Sequence, residues 1–353
     1  MKLSGCLLLG FCWLLSGCSE IGYYYQAVSG HLELINQKQS ISELLEAPAT
    51  PPLLTAKLRL ILSVREYAST QLALPATYGY TSYVDLKRSY VTAIVTASQP
   101  LAFQSRRWCF LFAGCVEYRG YFAEEEAIKY AAQLALEGLD VSVGHAGAYS
   151  TLGWLNNRWI PDYFSDPVLN TFTDRSDWDI ISTLIHEMAH QVVYVSGNTS
   201  FNESFAVFVE QEGLKSYLEH YKGANSLEYL NFEQESQEEA MFVEIVSQAY
   251  VALETLYQTA LTEGDKLTRK QELLADLKQT WIDRKSDFKR LSYDRWFSQN
   301  LNNAHLMGMR RYHKNVAVFA KVFEEEQKNW EKFFERVKII ADSDELLQQW
   351  FPE

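Results

Sequence analysis

The sequence predicts an α+β protein, with a mixed β-sheet, a helix carrying an H-E-x-x-H motif, and a predominantly helical C-terminal lobe. Three observations lead there. Residues between Tyr78 and Phe122 are rich in β-branched and aromatic side chains, with Tyr90–Ala97 as the clearest strand. Apolar residues recur at three- and four-residue spacing around His186-Glu187-Met188-Ala189-His190. Towards the C-terminus, Gln234–Leu261, Lys266–Phe288 and Val316–Val337 show helical periodicity with dense charge. These patterns divide the chain into a signal segment (1–17), an N-terminal helical segment (18–75), a catalytic-type core (76–213) and a helical lobe (214–353).

At 353 residues and 47% hydrophobic content the chain can bury a sizeable core. Its formal charge is −13, and losing Lys2 with the signal leaves 31 basic against 45 acidic residues, or −14. A nucleic-acid partner is therefore not expected, because neutralising phosphates needs clustered Lys and Arg. The runs Glu124–Glu126 and Glu324–Glu326 read as solvated helix faces, and Trp296, Trp330 and Trp350 as packing residues.

The N-terminus opens with Met1-Lys2 and an apolar run, Leu7–Leu15, of secretory-signal length. It is too short to span a bilayer, which takes about 20 residues. It ends in Leu15-Ser16-Gly17-Cys18, which resembles the lipobox of bacterial lipoproteins. That resemblance implies acylation of Cys18 and a membrane anchor through it. Ser19 after the cysteine implies the outer membrane, facing the periplasm. The plainer alternative is an ordinary cleaved signal with a chance cysteine. Of five cysteines, Cys6 and Cys12 leave with the signal, so Cys109 and Cys115 remain besides Cys18. In an oxidising compartment these two are expected to form a disulfide across a tight hairpin. A metal role lacks an accompanying His or third Cys.

In chain order, Tyr23 to about Leu74 reads as helical, broken at Pro48, Pro51 and Pro52. His31 stands alone there. Arg107–Phe122 reads as two strands around Ala113-Gly114. Ala123–Glu137 follows as an amphipathic helix with Ile128, Ala131, Ala132, Leu134 and Ala135 inside, and Leu139–Tyr149 as a strand. Ser176 with Asp179 forms a capping box for a helix running to Val193, buried through Ile180, Ile181, Leu184, Ile185, Met188 and Ala189. Gly197-Asn198 ends it, and a second helix spans about Asn202 to Gly213.

On a helix, positions i and i+4 share a face, so His186 and His190 can turn nitrogens towards one metal ion. Glu187 then sits where a carboxylate can take a proton from water. A catalytic zinc usually has three protein ligands and one open position, so a third must come from elsewhere. Asn202-Glu203-Ser204-Phe205-Ala206-Val207-Phe208-Val209-Glu210 is similar to the N-E-x-F-A-x-x-x-E segment of gluzincin aminopeptidases. The match carries the third ligand to Glu203. The gap from His190 is shorter than usual in those enzymes, which keeps Glu210 as the alternative.

The order of sheet, helix, strand and H-E-x-x-H helix resembles the zincin catalytic core, with Gly144–Thr151 in the place of the substrate-pairing edge strand. Ordinary turns and close packing are the alternative reading of Gly144, Gly147 and Gly153. The lipobox, Trp108–Phe122, Tyr149–Trp154, the zinc segment and Asn302–Leu306 together resemble the bacterial lipoprotein family called predicted aminopeptidases. That likeness implies a zinc-dependent peptidase with one Zn2+, ligands His186, His190 and Glu203, Glu187 as general base, and peptide as substrate. It departs from gluzincin aminopeptidases in lacking an acidic residue on Gly144–Thr151, where they hold the free amine, so endopeptidase action stays open. Tyr312, Tyr149, His145 and His313 are candidates to stabilise the oxyanion, and Asn202 or Glu210 to orient the imidazoles. A non-catalytic peptide-binding lipoprotein and a structural zinc protein are the competing classes. The retained Glu187 argues against both.

Overall fold

The computed structural model describes residues 21–110, 114–148, 150–151 and 164–351. Helix α1 covers residues 21–36, followed by strand β1 (Gln39–Ser40), α2 (Ile41–Glu46) and α3 (Pro52–Gln71). The expected proline break is present. Pro52 opens α3, where its missing N–H costs no helical hydrogen bond.

Next come β2 (Ser82–Val84), β3 (Thr92–Ser98), β4 (Trp108–Phe110), β5 (Gly114–Val116) and β6 (Arg119–Tyr121). Cys109 stands opposite Cys115 in the antiparallel β4–β5 pair, and the two form the expected disulfide. Gly114, at φ +71°, takes a left-handed conformation that a side chain would strain. The second expected strand is split, however. At Glu117-Tyr118 the chain leaves β5, and β6 pairs with β3 instead. Arg311 causes the break: it holds the Glu117 carboxylate at 3.3 Å and its carbonyl at 3.4 Å, drawing this stretch out of the ladder.

Helix α4 (Glu124–Leu136) and strand β7 (Asp140–Ala146) follow. The buried stripe of α4 is Ala127, Ala131 and Leu134. Ile128, expected inside, is 54% exposed, and Ala132 and Ala135 are exposed as well. The cause is Tyr130, whose hydroxyl accepts from Trp108 Nε1 at 2.8 Å and sets the rotation of the helix. Strand β7 runs antiparallel to β3 from Thr92↔Ala146 to Ser98↔Asp140, so the order β6-β3-β7 leaves it at an edge. It stops at Ala146, short of Tyr149.

Strand β8 (Val168–Leu169) pairs parallel to β2, which also pairs antiparallel with β1, giving a small mixed sheet. The remainder is helical: α5 (Asn170–Thr173), α6 (Asp177–Ala189), α7 (Thr199–Lys222), α8 (Leu227–Tyr257), α9 (Glu263–Arg284), α10 (Asp294–Phe297), α11 (Asn303–His313), α12 (Val316–Glu325), α13 (Trp330–Ala341) and α14 (Asp344–Trp350). The periodic run Val316–Val337 is two helices, because Gln327 and Lys328 turn left-handed between α12 and α13.

Three apolar cores hold these layers. The largest joins α3, α6, α7, α12 and α13; a second lies between α8 and α9; a third lies between α4 and the β6-β3-β7 sheet. Phe201, Phe205 and Phe208 line one face of α7 and pack edge-on or tilted against Phe319, Phe323 and Phe333. Gly213 does not end α7. It lies inside it, where a Cβ would come within 3.0 Å of Ile185 and Leu72, so its bareness lets α7 settle on α6.

Candidate active site

Helix α6 is fixed at its start and along its length. Ser176 Oγ accepts from Asp179 N at 3.2 Å and lies 2.8 Å from Asp179 Oδ2, the expected capping box. The expected residues Ile180, Ile181, Leu184, Ile185, Met188 and Ala189 are its buried side. The helix ends at Ala189 rather than Val193, yet His190 keeps helical angles (φ −58°, ψ −18°). Its ring therefore lies on the same face as His186 and meets that ring edge-on, with centroids 4.9 Å apart and planes 83° apart.

Helix α7 begins at Thr199, ahead of the expected Asn202, because the Asn198 side chain caps it by accepting from Phe201 N at 3.0 Å. Asn202 turns away from the histidines. It accepts from Val195 N at 2.8 Å and donates to Val195 O at 2.9 Å, clamping the α6–α7 connection. Of the two residues named as orienting partners, Glu210 is the one in contact: its Oε2 is 2.9 Å from His186 Nδ1. Glu203 Oε2 lies 3.6 Å from His186 Nε2 and 3.8 Å from His190 Nε2. Residues seven apart on a helix share a face, so Glu203 and Glu210 reach the two nitrogens of one ring.

One donor atom each from His186, His190 and Glu203 lies within 4.8 Å of the others. Two imidazoles and one carboxylate at this spacing suit a divalent metal, and the group can hold one. With Glu210 on Nδ1, the Nε2 of His186 is the nitrogen left for a ligand. His190 Nδ1 is buried without a hydrogen-bond partner among the described residues.

In the metal-free protein, burial pushes Glu187 up to about 7, opposed by the His186 charge and assisted by Glu203. Burial pulls His190 down to about 4. Burial also lowers His186, but hydrogen bonds to Glu203 and Glu210 outweigh it and hold His186 well above its ordinary value. Burial alone would raise Glu203; its contact with His186 reverses that and holds it low.

Three of the four proposed oxyanion donors lie among the described residues, and they separate clearly. The Tyr312 hydroxyl is raised well above its usual value, first by the Glu203 charge and then by burial, and Glu187 contributes. The residue is 38% exposed, so part of its side chain meets solvent. His145 is engaged elsewhere, 2.8 Å from Glu124 Oε1 and packed on Tyr90. His313 lies 3.9 Å from Glu239 and feels Glu210, behind the His186 ring. Tyr149, like Cys18 and the signal segment, lies outside the described residues.

A family model described as "Putative aminopeptidase" matches residues 22–349, almost the whole chain. The chain belongs to this family. No curated protein and no solved structure matches it. Membership in an aminopeptidase family makes peptide the substrate class, and the metal-capable group lies inside the matched stretch.

Three further residues at the site are not singled out by the sequence, although Tyr118 lies within the Trp108–Phe122 segment. Tyr118 is raised by burial and then by the Glu203 charge, and Tyr194 likewise. Arg311, 6% exposed, opposes those shifts in Tyr118 and Tyr312 and helps hold Glu203 low. The signal available for Tyr118 is its place in that segment; Tyr194 and Arg311 carry none.

Proposed function

We propose that this protein is a zinc-dependent aminopeptidase of the bacterial cell envelope, with His186, His190 and Glu203 as ligands and Glu187 as general base. The observation that carries the reading is the convergence of three donor atoms within 4.8 Å beside a carboxylate poised at about 7. When bound, the zinc ion supplies Lewis acidity, polarising the scissile carbonyl and lowering the pKa of a water. Glu187 takes the proton of the attacking water and passes it to the departing amine. Tyr312, kept protonated by its surroundings, donates to the developing oxyanion. Glu210 receives the Nδ1–H of His186 and so fixes its tautomer.

The edge position of β7 supports a zincin-like arrangement in which an extended peptide pairs beside the cleft. The sequence Leu15-Ser16-Gly17-Cys18 supports anchoring in the outer membrane through an acylated Cys18, with the enzyme facing the periplasm.

Metal content and peptide hydrolysis, measured on the mature protein and on Glu187→Gln, test this. One zinc per chain is expected in both, hydrolysis only in the first, and cleavage of free-amine but not N-blocked peptides. Zinc without cleavage by either would favour a peptide-binding role. Equal cleavage of N-blocked peptides would make it an endopeptidase. The mass of the mature N-terminal peptide tests the anchor separately.

A further inference from the structure

Helix α1 carries two stripes of different character. Tyr23, Gln26, Gly30 and Leu34, spaced three or four apart, face the protein. Tyr23 lies on Phe110 and Tyr121 and under the Arg119 guanidinium. Gln26 accepts from Phe122 N at 3.0 Å and donates to Gly120 O at 3.4 Å. A Cβ on Gly30 would strike the Phe122 ring at 2.3 Å, and Leu34 is fully enclosed.

The other stripe repeats the same spacing outward. Ile21, Tyr24, Tyr25, Val28 and Leu32 are 70, 44, 75, 57 and 43% exposed. Five large apolar residues on one face of one helix form a continuous patch, unlike the scattered exposed residues any surface has. Residues 21–32 contain no Lys, Arg, Asp or Glu. Two tyrosines sit in the stripe, the side chain that places an apolar ring and a polar tip at a membrane–water boundary.

We propose that this stripe is a membrane-interface face: α1 lies flat on the bilayer, with Ile21, Tyr24, Tyr25, Val28 and Leu32 in the headgroup–acyl boundary. The proposal rests on the lipid anchor proposed above, because Cys18 is three residues before Ile21 and would deliver the helix to that surface. Acyl chains at Cys18 hold the protein to the membrane, and the stripe sets its orientation there. The inner stripe passes that orientation on. It grips Gly120 and Phe122 at one end of β6, and Tyr118, which feels Glu203 and Glu187, stands just before its other end. A single short strand therefore links the membrane face to the cleft.

The test uses the full chain, expressed and processed, in vesicles of phosphatidylethanolamine and phosphatidylglycerol. Cys109 and Cys115 are paired, so one introduced cysteine is the free thiol to label. Nitroxides go on Tyr25→Cys and Val28→Cys, with Leu136→Cys, 90% exposed on α4, as control. Collision rates with oxygen, which concentrates in lipid, and with a water-soluble nickel chelate are then compared. The proposal expects a several-fold higher oxygen-to-nickel ratio at 25 and 28 than at 136, appearing only with vesicles. It also expects that ratio to collapse at 28 when Tyr25 and Leu32 are both changed to Asp. Nitroxides at 25 and 28 that stay as water-accessible as the control on vesicle-bound protein would overturn it while leaving the anchor intact. Protection that needs no vesicles and grows with protein concentration would assign the stripe to a second copy of the chain, which also overturns it. Failure to bind vesicles overturns it too, and the mass of the N-terminal peptide then shows whether the anchor failed with it.

Discussion

Glu210 Oε2 meets Nδ1 of His186 at 2.9 Å, while Glu203, two turns earlier on the same helix, faces Nε2 of that ring at 3.6 Å. One helix thus supplies both the carboxylate grouped with His186 where a metal could be held and the carboxylate on the other nitrogen of that ring. Glu210→Gln should lower metal affinity about 10- to 100-fold, in line with other orienting partners of ligating histidines. Glu203→Gln, which removes a donor, should cost more. Competitive titration against a chromophoric chelator measures both, and equal losses would contradict the division of roles.

Metal uptake should expel a proton. His186 is held protonated above its ordinary value of 6.5 by Glu203 and Glu210, and a metal must displace that proton. The sign for the metal-free protein follows. A raised histidine stabilises the fold below its unfolded pKa, and the contribution is lost as pH climbs through the folded value. Glu187, raised to about 7, acts in the same direction between its ordinary 4.5 and that value, with His190, lowered to about 4, opposing it up to 6.5. Above pH 6.5 the melting temperature of the metal-free protein should therefore fall while metal affinity rises. Calorimetry in buffers of different ionisation enthalpy gives the proton count, and none released would refute the account.

Tyr312→Phe should reduce kcat by about 100-fold with little change in KM, as for loss of one oxyanion donor. Tyr118→Phe is the comparison, because its hydroxyl feels the same glutamates from the β6 side. Steady-state kinetics separate the two, and a larger kcat loss in Tyr118→Phe would move the donor role to that residue.

Lys270, 1% exposed, is paired with Asp140 at the start of β7 and donates to Pro100 O at 2.8 Å. Asp140 also accepts from Asn303 N at 2.8 Å, tying α9, the edge strand and α11 together. Lys270→Met leaves that carboxylate without its cation and should cost about 3–5 kcal/mol. Urea unfolding checks this, and adding Asp140→Asn should restore part of the loss. A cost below about 1 kcal/mol would show that the charge pair is not what holds the junction.

Much of the site could be read from local pattern. The two histidines, their helix and its capping box follow from spacing, and the buried side of α6 was legible residue by residue. What escaped had non-local causes. The rotation of α4 depends on Tyr130 meeting Trp108, a contact absent from the periodicity that put Ile128 inside. The start of α7 moved because Asn198, taken as the end of one helix, caps the next. Tyr118 reaches the site beside a contact between Arg311 and Glu117, residues 194 apart in the chain, which no local pattern carries. Glu210 looked like a rival to Glu203 in sequence; the helical face they share lets each take a different nitrogen of His186.

Ser204, next to Glu203, donates to Arg311 O at 3.3 Å and accepts from Asn315 N at 3.2 Å. Fully enclosed, it rivets the α11–α12 corner to α7 on both sides of Tyr312. The carboxylate of Glu203 and the hydroxyl of Tyr312 are therefore positioned by one buried joint, and a change at Ser204 should displace both together. That joint extends to the edge strand, because Asn302 Nδ2 donates to Val141 O at 2.9 Å and Asn303 N to Asp140 at 2.8 Å, so β7 is braced by the same helix that carries Tyr312.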